Sequence, residues 1–229
     1  MSLNILVIDT ATEACSVALQ SEHGVISRFE VCPQEHSRKL LPMVQEVLCE
    51  ADLQLTQLDV LGVGAGPGSF TGVRIAMGMV QGLSFGAGLP IVKVSTLQAM
   101  AQQCHANSGS QSVISLIDAR MSEVYFGHYQ LDENGLMQLQ NQELVISPEA
   151  LVDGPLSQAS EFAGAGTGWK AYEQFSTFAP QDISVTYPDA RWMLPMAKYQ
   201  WQQGHTFEAA KIEPTYLRDK VTWKKLPGR

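Results

Sequence analysis

The sequence predicts an α/β protein in which two halves repeat the same order of strands and helices. Three observations support this prediction. Each half opens with a short apolar run that ends in aspartate, Ile5–Ile8 before Asp9 and Val113–Ile117 before Asp118. Each run is followed by strand-like segments that return through a turn. Helical patterns then alternate with further apolar runs, which is typical of a sheet covered by helices.

The first half predicts a three-stranded meander and then alternating helices and strands, in the order βββαβαβα. Strands are expected at 5–8, 15–20, 25–31, 60–63 and 90–94, and helices over roughly 34–51, from Ser69 and from Ser95. Ser69 and Ser95 are predicted N-caps, because a serine hydroxyl accepts a hydrogen bond from an unpaired N–H of the first helical turn. The glycines around Pro67 predict a loop before the second helix.

The second half predicts the same order with negligible sequence identity to the first. Strands are expected at 113–117, 123–129, after the turn 132–135, at 162–166 and at 183–187, and helices from Ser147, over 169–178 and over 189–203. A polar stretch at 104–112 is typical of a linker, so we expect lobes of residues 1–105 and 106–229. Two related βββαβαβα lobes predict the actin-like ATPase fold (the ASKHA or ribonuclease H-like class), with a nucleotide cleft between them.

The turn after the first strand is the candidate nucleotide site. Asp9, Thr10 and Thr12 lie where this fold class places phosphate, and backbone N–H groups in such turns favour anions. Asp9 and Asp118 could meet across the cleft and hold a magnesium nucleotide, or they could cap turns at strand ends. The turn contains no lysine or arginine, so the prediction of nucleotide binding is weak.

The helix that begins at Ser69 presents a stripe of glycines. Its apolar face is predicted to contain Phe70, Val73, Met77 and Val80. Gly78, Gly82 and Gly86 recur at every fourth residue and therefore share a different face. Each glycine costs a helix roughly 1 kcal/mol relative to alanine, so the stripe indicates close approach by another backbone. That backbone could belong to a partner helix or to the same chain.

Composition excludes several classes of protein. The chain has 229 residues, 45% hydrophobic and 17% charged, and its apolar runs are too short to span a bilayer. The net charge of −8 argues against strong autonomous binding to nucleic acid. The N-terminus does not have the pattern of a signal peptide, and four widely spaced cysteines indicate reduced thiols in a cytoplasm.

Motifs for hydrolysis, phosphate binding and metal binding are weak or missing in the sequence. No P-loop pattern is present, Pro67 interrupts the first glycine-rich loop, and Ser69 lies at the wrong position for a nucleophile elbow. His36 opens the first helix, but Leu40 stands one turn later where a second metal ligand would be needed. We therefore expect neither a metal site nor a peptidase site.

The C-terminal tail carries a basic cluster. Arg218, Lys220, Lys224, Lys225 and Arg229 surround Trp223. Such a cluster could contact RNA or an acidic partner, or it could be a solvated surface.

Seven segments together resemble the TsaB (YeaZ) family, the bacterial accessory proteins of tRNA threonylcarbamoyladenosine (t6A) synthesis. They are ILVIDTATEACSVAL, EHSRKLLPMVQEVL, GAGPGSFTGVRIAMGMVQGLSFG, STLQAMA, IDARMSEVYF, GAGTGW and EPTYLRDKVTWKKLPG. The resemblance covers nearly the whole chain, and its part over 66–74 is specific. It implies a two-lobed actin-like fold related to TsaD, the catalytic subunit that transfers a threonylcarbamoyl group to adenosine 37 of tRNA.

The resemblance further implies a non-catalytic subunit that dimerises with TsaD and allows the ATPase TsaE to join, with tRNA reached only through the complex. The metal motif H-x-x-x-H of TsaD is broken here by Leu40. No cofactor is expected for this chain alone, and ATP or ADP at the complex interface is left open. A homodimer is expected when the partner is missing. The alternative function is a weak ATPase or phosphotransferase of the actin-like class. The implied interface residues are His36, Leu40, Val44, Phe70, Arg74, Gly78, Gly82 and Gly86.

Overall fold

Two mixed β-sheets organise the computed structural model, which describes residues 3–178, 180 and 183–218. The first half contains β1 (Ile5–Asp9), β2 (Ala14–Ser21), β3 (Gly24–Val31), α1 (His36–Glu50), β4 (Val60–Gly64), α2 (Phe70–Ala87), β5 (Ile91–Val94) and α3 (Thr96–Ser108). This order matches the predicted βββαβαβα element for element. The first sheet has the order β3-β2-β1-β4-β5, with β1, β2 and β3 antiparallel and β1, β4 and β5 parallel.

Serine caps begin three of the helices, as the sequence predicts. The hydroxyls of Ser69, Ser95 and Ser147 accept hydrogen bonds from the backbone N–H groups of Gly72, Gln98 and Ala150, each at 3.3 Å. These bonds satisfy one otherwise unpaired donor in each first turn. The helices α2 and α3 also end at glycines with left-handed backbones, Gly88 and Gly109, so both termini are set by local sequence.

The second half repeats the first only in part. It contains β6 (Ser112–Arg120), β7 (Glu123–Leu131), β8 (Met137–Leu139), β9 (Leu144–Ile146), α4 (Pro148–Asp153), β10 (Ala163–Ala165) and α5 (Leu194–Gln202). The predicted helix over 169–178 is wrong, because that segment forms 3-10 turns at Thr167–Lys170 and Glu173–Phe175. Its rings hold it in place, with Trp169 packed at 5.7 Å from Phe162 and 5.8 Å from Phe175 between centroids.

The last two predicted elements are also shorter than expected. The strand over 183–187 is reduced to one described bridge between Val185 and Ala165. The helix over 189–203 opens as a 3-10 turn, Ala190–Met193, and becomes α-helical at α5, where Pro195 occupies the first turn.

The chain returns to the first sheet after the second sheet is complete. Met193, Leu194 and Ala197 are buried with Ile5 and other residues of the first sheet. The predicted assignment of all residues after 105 to the second lobe therefore does not describe this segment. Within the described ranges, none of the helices has the length and apolarity needed to cross a membrane.

A segment that we call the strap, residues 207–218, then runs along the first lobe to the second. Phe207 pairs with Ile91 at the edge of the first sheet, and Ile212 is 2% exposed in the core beside α2. Thr215 donates to the carbonyl of Ala65 at 2.8 Å. Arg218 then pairs with Glu123 of β7, so the strap joins the two lobes.

Candidate protein-interaction site

The glycine stripe of α2 lies on an open face. Gly78, Gly82 and Gly86 are exposed, and a methyl group added at any of them would meet no described atom within 4 Å beyond its own helix turn. The stripe therefore does not pack against a described part of the same chain. The sequence pattern indicates that a second backbone approaches the stripe. This geometry shows that the described residues of the same chain do not supply that backbone.

Two aromatic rings extend the open face at its ends. Phe85 is 86% exposed and Phe70 is 60% exposed. The exposure of Phe70 corrects its predicted place on the apolar inner face, which is instead formed by Val73, Met77 and Val80. A helix that exposes large rings and bare glycines along one side has the composition of a contact surface. We call this surface, formed by Phe70, Arg74, Gly78, Gly82, Phe85 and Gly86, the α2 face.

The three predicted interface residues of α1 do not lie on the surface. His36 is 8% exposed, Leu40 is 0% exposed and Val44 is 1% exposed. Leu40 and Val44 belong to the hydrophobic core beneath α1. Their apolar spacing marked the side of α1 that packs on the sheet, so this part of the predicted interface is corrected. Leu41, at 41% exposed, is an apolar side chain that α1 presents to solvent.

The candidate nucleotide turn is closed by the protein itself. Asp9 and Thr10 are 0% exposed, and Thr12 is 7% exposed. The Thr10 hydroxyl donates to the Gly72 carbonyl in the first turn of α2 at 2.7 Å, and the Thr12 hydroxyl accepts from the N–H of Ala14 at 3.3 Å. The threonine hydroxyls that the sequence predicted to bind a nucleotide therefore form hydrogen bonds within the chain.

Two glycines let α2 come this close to the turn. A methyl group at Gly68 would lie 2.3 Å from the Ala11 carbonyl oxygen, and one at Gly72 would lie 2.1 Å from the Thr10 carbonyl oxygen. The start of α2 thus rests directly on the turn backbone, where an actin-like ATPase would hold phosphate. Sequence reasoning classified Gly68 as a loop residue and did not single out Gly72, so it missed this close approach.

Burial changes the chemistry of Asp9. Desolvation raises the pKa of its carboxyl group from the ordinary value of 3.8 to about 7, and the nearby Asp189 carboxylate adds to the increase. The Ala11 N–H donates to Asp9 Oδ1 at 3.1 Å, and this bond and the Thr96 side chain lower the pKa by less than burial raises it. Asp9 is therefore a buried carboxyl group whose pKa lies near neutral pH, and its side chain is closed to solvent.

Asp118 of the second lobe is held differently. Its carboxylate accepts hydrogen bonds from the Arg120 N–H at 2.9 Å and the Tyr172 hydroxyl at 3.0 Å, and it pairs with the Arg120 guanidinium at 3.1 Å. Arg120 also reaches Glu13 at 3.5 Å, which joins the two hairpin turns. The structure therefore gives Asp118 a structural role in its turn. In the described ranges, no group of three or more histidine, cysteine, aspartate or glutamate residues is arranged to hold a metal ion.

Arg218 is the one member of the predicted basic cluster within the described residues. Its guanidinium pairs with Glu123 and donates to the Ala119 carbonyl at 3.3 Å. The side chain is 18% exposed, so Arg218 is a structural link to the β6–β7 hairpin and not a free cation. Lys220, Trp223, Lys224, Lys225 and Arg229 lie outside the described residues.

The fold and the site together define a class of protein. Two α/β lobes have the actin-like arrangement, the first phosphate-type turn is filled by α2, and α2 exposes a face of aromatic rings and glycines. The class is therefore a two-lobed actin-like protein with a closed first turn and an open helix face.

Comparisons with known proteins identify the family. The family model "TsaD: tRNA N6-adenosine threonylcarbamoyltransferase" matches residues 15–223. The chain is 46% identical to "tRNA threonylcarbamoyladenosine biosynthesis protein TsaB" of Escherichia coli, over 99% of this chain and 100% of that protein. It is 43% identical to the protein of the same name from Haemophilus influenzae, over 100% of this chain and 99% of that one.

Solved structures agree with these relatives. YeaZ from Pseudomonas aeruginosa superposes with a TM-score of 0.84 at 41% identity, covering 93% of this chain and 100% of that one. A Pseudomonas aeruginosa protein described as similar to the peptidase YeaZ gives a TM-score of 0.87 at 42% identity, covering 94% and 100%. The chain belongs to the TsaB (YeaZ) family, and the predicted actin-like fold is confirmed.

Proposed function

We propose that this protein acts in t6A biosynthesis as a non-catalytic subunit that binds a TsaD-type paralogue through the α2 face. The family gives the process, since the curated relatives carry the name of t6A biosynthesis proteins. The observation that carries the proposed role is the open glycine stripe, which costs helix stability and contacts no described atom of its own chain. A partner helix packed on the stripe would explain why the helix carries three glycines despite their cost to its stability.

The complex then divides the work between its subunits. The TsaD-type partner performs threonylcarbamoyl transfer to adenosine 37, this chain supplies the docking surface, and a TsaE-type ATPase joins the pair. tRNA is bound through the complex, and any ATP or ADP lies at a subunit interface. In the absence of the partner, the α2 face pairs with a second copy around a two-fold axis, because the same surface is then used by both copies.

Reconstitution tests this proposal. Threonylcarbamoyl transfer to tRNA should require the TsaD-type protein, the TsaE-type ATPase and this chain, and this chain should co-purify with the TsaD-type protein. Neither this chain alone nor this chain with the ATPase should modify tRNA. Full transfer activity without this chain would contradict the proposed role, and so would the absence of any complex in a co-purification.

The alternative function, a weak ATPase or phosphotransferase, leads to a separate prediction. We expect the purified chain to turn over ATP negligibly, because Asp9, Thr10 and Thr12 are buried. We also expect it to retain no stoichiometric zinc or iron, because Leu40 stands where a second metal ligand would be needed. A phosphate-release assay and elemental analysis would measure both. A robust ATPase rate that Asp9→Ala abolishes would favour the alternative function.

The basic tail gives a further prediction about the assembled complex. Replacing Lys224 and Lys225 by glutamate should lower tRNA modification several-fold while changing assembly with the partner less, because cations near tRNA neutralise phosphates. Modification and assembly should be measured on the same preparations at low enzyme concentration. If the variant and the unaltered protein modify tRNA equally at high salt, the tail does not contribute to tRNA binding.

A further inference from the structure

Arg74 lies over one aromatic ring and beside a second one at one end of the α2 face. Its guanidinium carbon lies 3.2 Å from the centroid of Phe70 and 5.2 Å from the centroid of Tyr216. The two rings are 6.1 Å apart and inclined by 33°. Tyr216 belongs to the strap, so the rings come from segments that are distant in sequence. Stacking on the rings limits the conformations of a side chain that is otherwise exposed.

The hydrogen-bonding edge of Arg74 is unused within the described residues. Its guanidinium forms no ion pair and donates no hydrogen bond there, whereas Arg28, Arg38, Arg120 and Arg218 all pair with carboxylates. Stacking covers the face of a guanidinium but leaves its in-plane N–H groups available. Those groups match a carboxylate in a bidentate geometry.

The surroundings of Arg74 make it distinctive. Arg74 is the single charged residue in the sequence of α2, and it lies one helical turn before Gly78 on the same stripe. A backbone that packs on the glycines therefore continues towards Arg74. Phosphate recognition usually needs several clustered cations, and α2 provides only this one. A carboxylate on a protein is the better match.

A second copy of this chain is poorly equipped to supply that carboxylate from its interface helices. The helix α2 contains no acidic residue. The acidic residues of α1 are engaged within the chain, since Glu46 pairs with Arg28 at 2.9 Å and Glu50 pairs with Arg28 at 2.5 Å. Glu35, which precedes α1, lies 3.4 Å from Arg38.

We propose that Arg74 receives a carboxylate of the TsaD-type partner and favours that partner over a second copy of this chain. This inference rests on the proposed function, because it assigns a contact within the same docking surface. Phe70 and Tyr216 are positioning residues that hold the guanidinium ready for the contact. Because the Arg74 side chain is already ordered in the free chain, it loses less conformational entropy on binding.

Affinity measurements on the full-length chain test the inference. The dissociation constant for the TsaD-type protein and that of the homodimer are measured for the unaltered protein, Arg74→Ala and Arg74→Lys. We expect Arg74→Ala to weaken the heterodimer about 30-fold and Arg74→Lys about 10-fold, with the homodimer changed by less than about threefold. Only the heterodimer should lose its salt dependence in Arg74→Ala.

The strap residue provides a second readout. Tyr216→Ala should weaken the heterodimer by about fivefold, and Tyr216→Phe should restore it, because the phenyl ring alone stacks on the guanidinium. Thermal unfolding of each variant shows whether the chain remains folded. If Tyr216→Phe loses as much affinity as Tyr216→Ala, the ring of Tyr216 does not position Arg74.

The possible outcomes separate this inference from the proposed function. No binding of the unaltered protein to the TsaD-type protein would overturn the proposed function. Tight binding by both the unaltered protein and Arg74→Ala would overturn the Arg74 contact alone. Equal losses in heterodimer and homodimer would overturn the selectivity. If Arg74→Ala reduced binding of bulk tRNA to the chain and left the heterodimer intact, Arg74 would be a phosphate contact instead.

Discussion

Replacing Gly82 by leucine is expected to weaken binding of the TsaD-type partner by at least about a hundredfold, equivalent to about 2.7 kcal/mol. Gly82 is the middle glycine of the exposed stripe, and an added methyl group there meets no described atom within 4 Å. The leucine side chain would therefore project into the space that the partner backbone needs. Two helices that meet at bare glycines must separate when a leucine stands between them, and the contacts along both helices weaken together.

The same substitution should leave the monomer folded. Leucine is a better helix former than glycine by roughly 0.5–1 kcal/mol, and the substituted side chain points to solvent in the free chain. We therefore expect unfolding of Gly82→Leu at the same or a slightly higher temperature. Gly82→Ala should weaken partner binding less than Gly82→Leu does. It should raise the stability of the free chain by a similar amount, since the helical backbone suits alanine.

Calorimetry of the heterodimer and thermal unfolding of the free chain measure the two effects. Lys198→Leu in α5 is a matched control, because it places a leucine at an exposed helical position far from α2 in sequence. It should leave binding unchanged. Binding of Gly82→Leu as tight as that of the unaltered protein would show that the partner does not use the stripe. Unfolding of the free variant would show that the stripe packs inside the chain.

Local patterns were sufficient to predict most of the first half of the fold. Alternating and continuous apolar runs identified β1 to β5, and Ser69 and Ser95 identified where α2 and α3 begin. The second half was predicted less well, because short aromatic segments carry a helical spacing without forming a helix. Residues around Trp169 are held by ring packing between distant segments, which periodicity does not encode.

The candidate site depended on long-range contacts and was predicted only in part. The glycine stripe could be read from the four-residue spacing along a single helix, and Arg74 was named through the family resemblance. The spacing could not show whether the stripe faces solvent, because that depends on which surfaces the rest of the chain covers. The family resemblance implied that Leu40 and Val44 contact the partner, but burial shows that these side chains belong to the core. The ring of Tyr216 reaches Arg74 only through the path of the strap.

The closed turn shows a similar limit of sequence reasoning. Asp9 at a strand end suggested a ligand for a nucleotide, since aspartate in that position is an ordinary metal ligand. The structure places the first turn of α2 against the neighbouring Thr10 and leaves Asp9 0% exposed, so the carboxyl group is inaccessible. A group of this kind affects the stability of the fold, and its effect depends on pH.

Replacing Asp9 by asparagine is expected to stabilise the protein at neutral and alkaline pH by roughly 3–4 kcal/mol. Burial raises the pKa of Asp9 to about 7, whereas the unfolded chain releases the proton near the ordinary value of 3.8. Between these values the unfolded state gains stability from ionisation and the folded state does not. The free energy of unfolding contributed by Asp9 therefore falls by about 1.4 kcal/mol per pH unit from about pH 4 to about pH 7 and is constant above.

Asparagine has the same shape but carries no charge at any of these pH values. Its amide oxygen can accept the Ala11 N–H, and the Thr96 side chain, which acts on the Asp9 carboxyl group, lies beside the substituted amide. Denaturant unfolding of both proteins from pH 4 to pH 8 should show a difference near zero at pH 4 that grows to its full size by pH 8. Asp153→Asn, at an exposed position of α4, should change stability by less than about 0.5 kcal/mol throughout. If Asp9→Asn is less stable than the unaltered protein at pH 8, the fold stabilises the ionised carboxylate, and burial does not raise the pKa of Asp9 as described above.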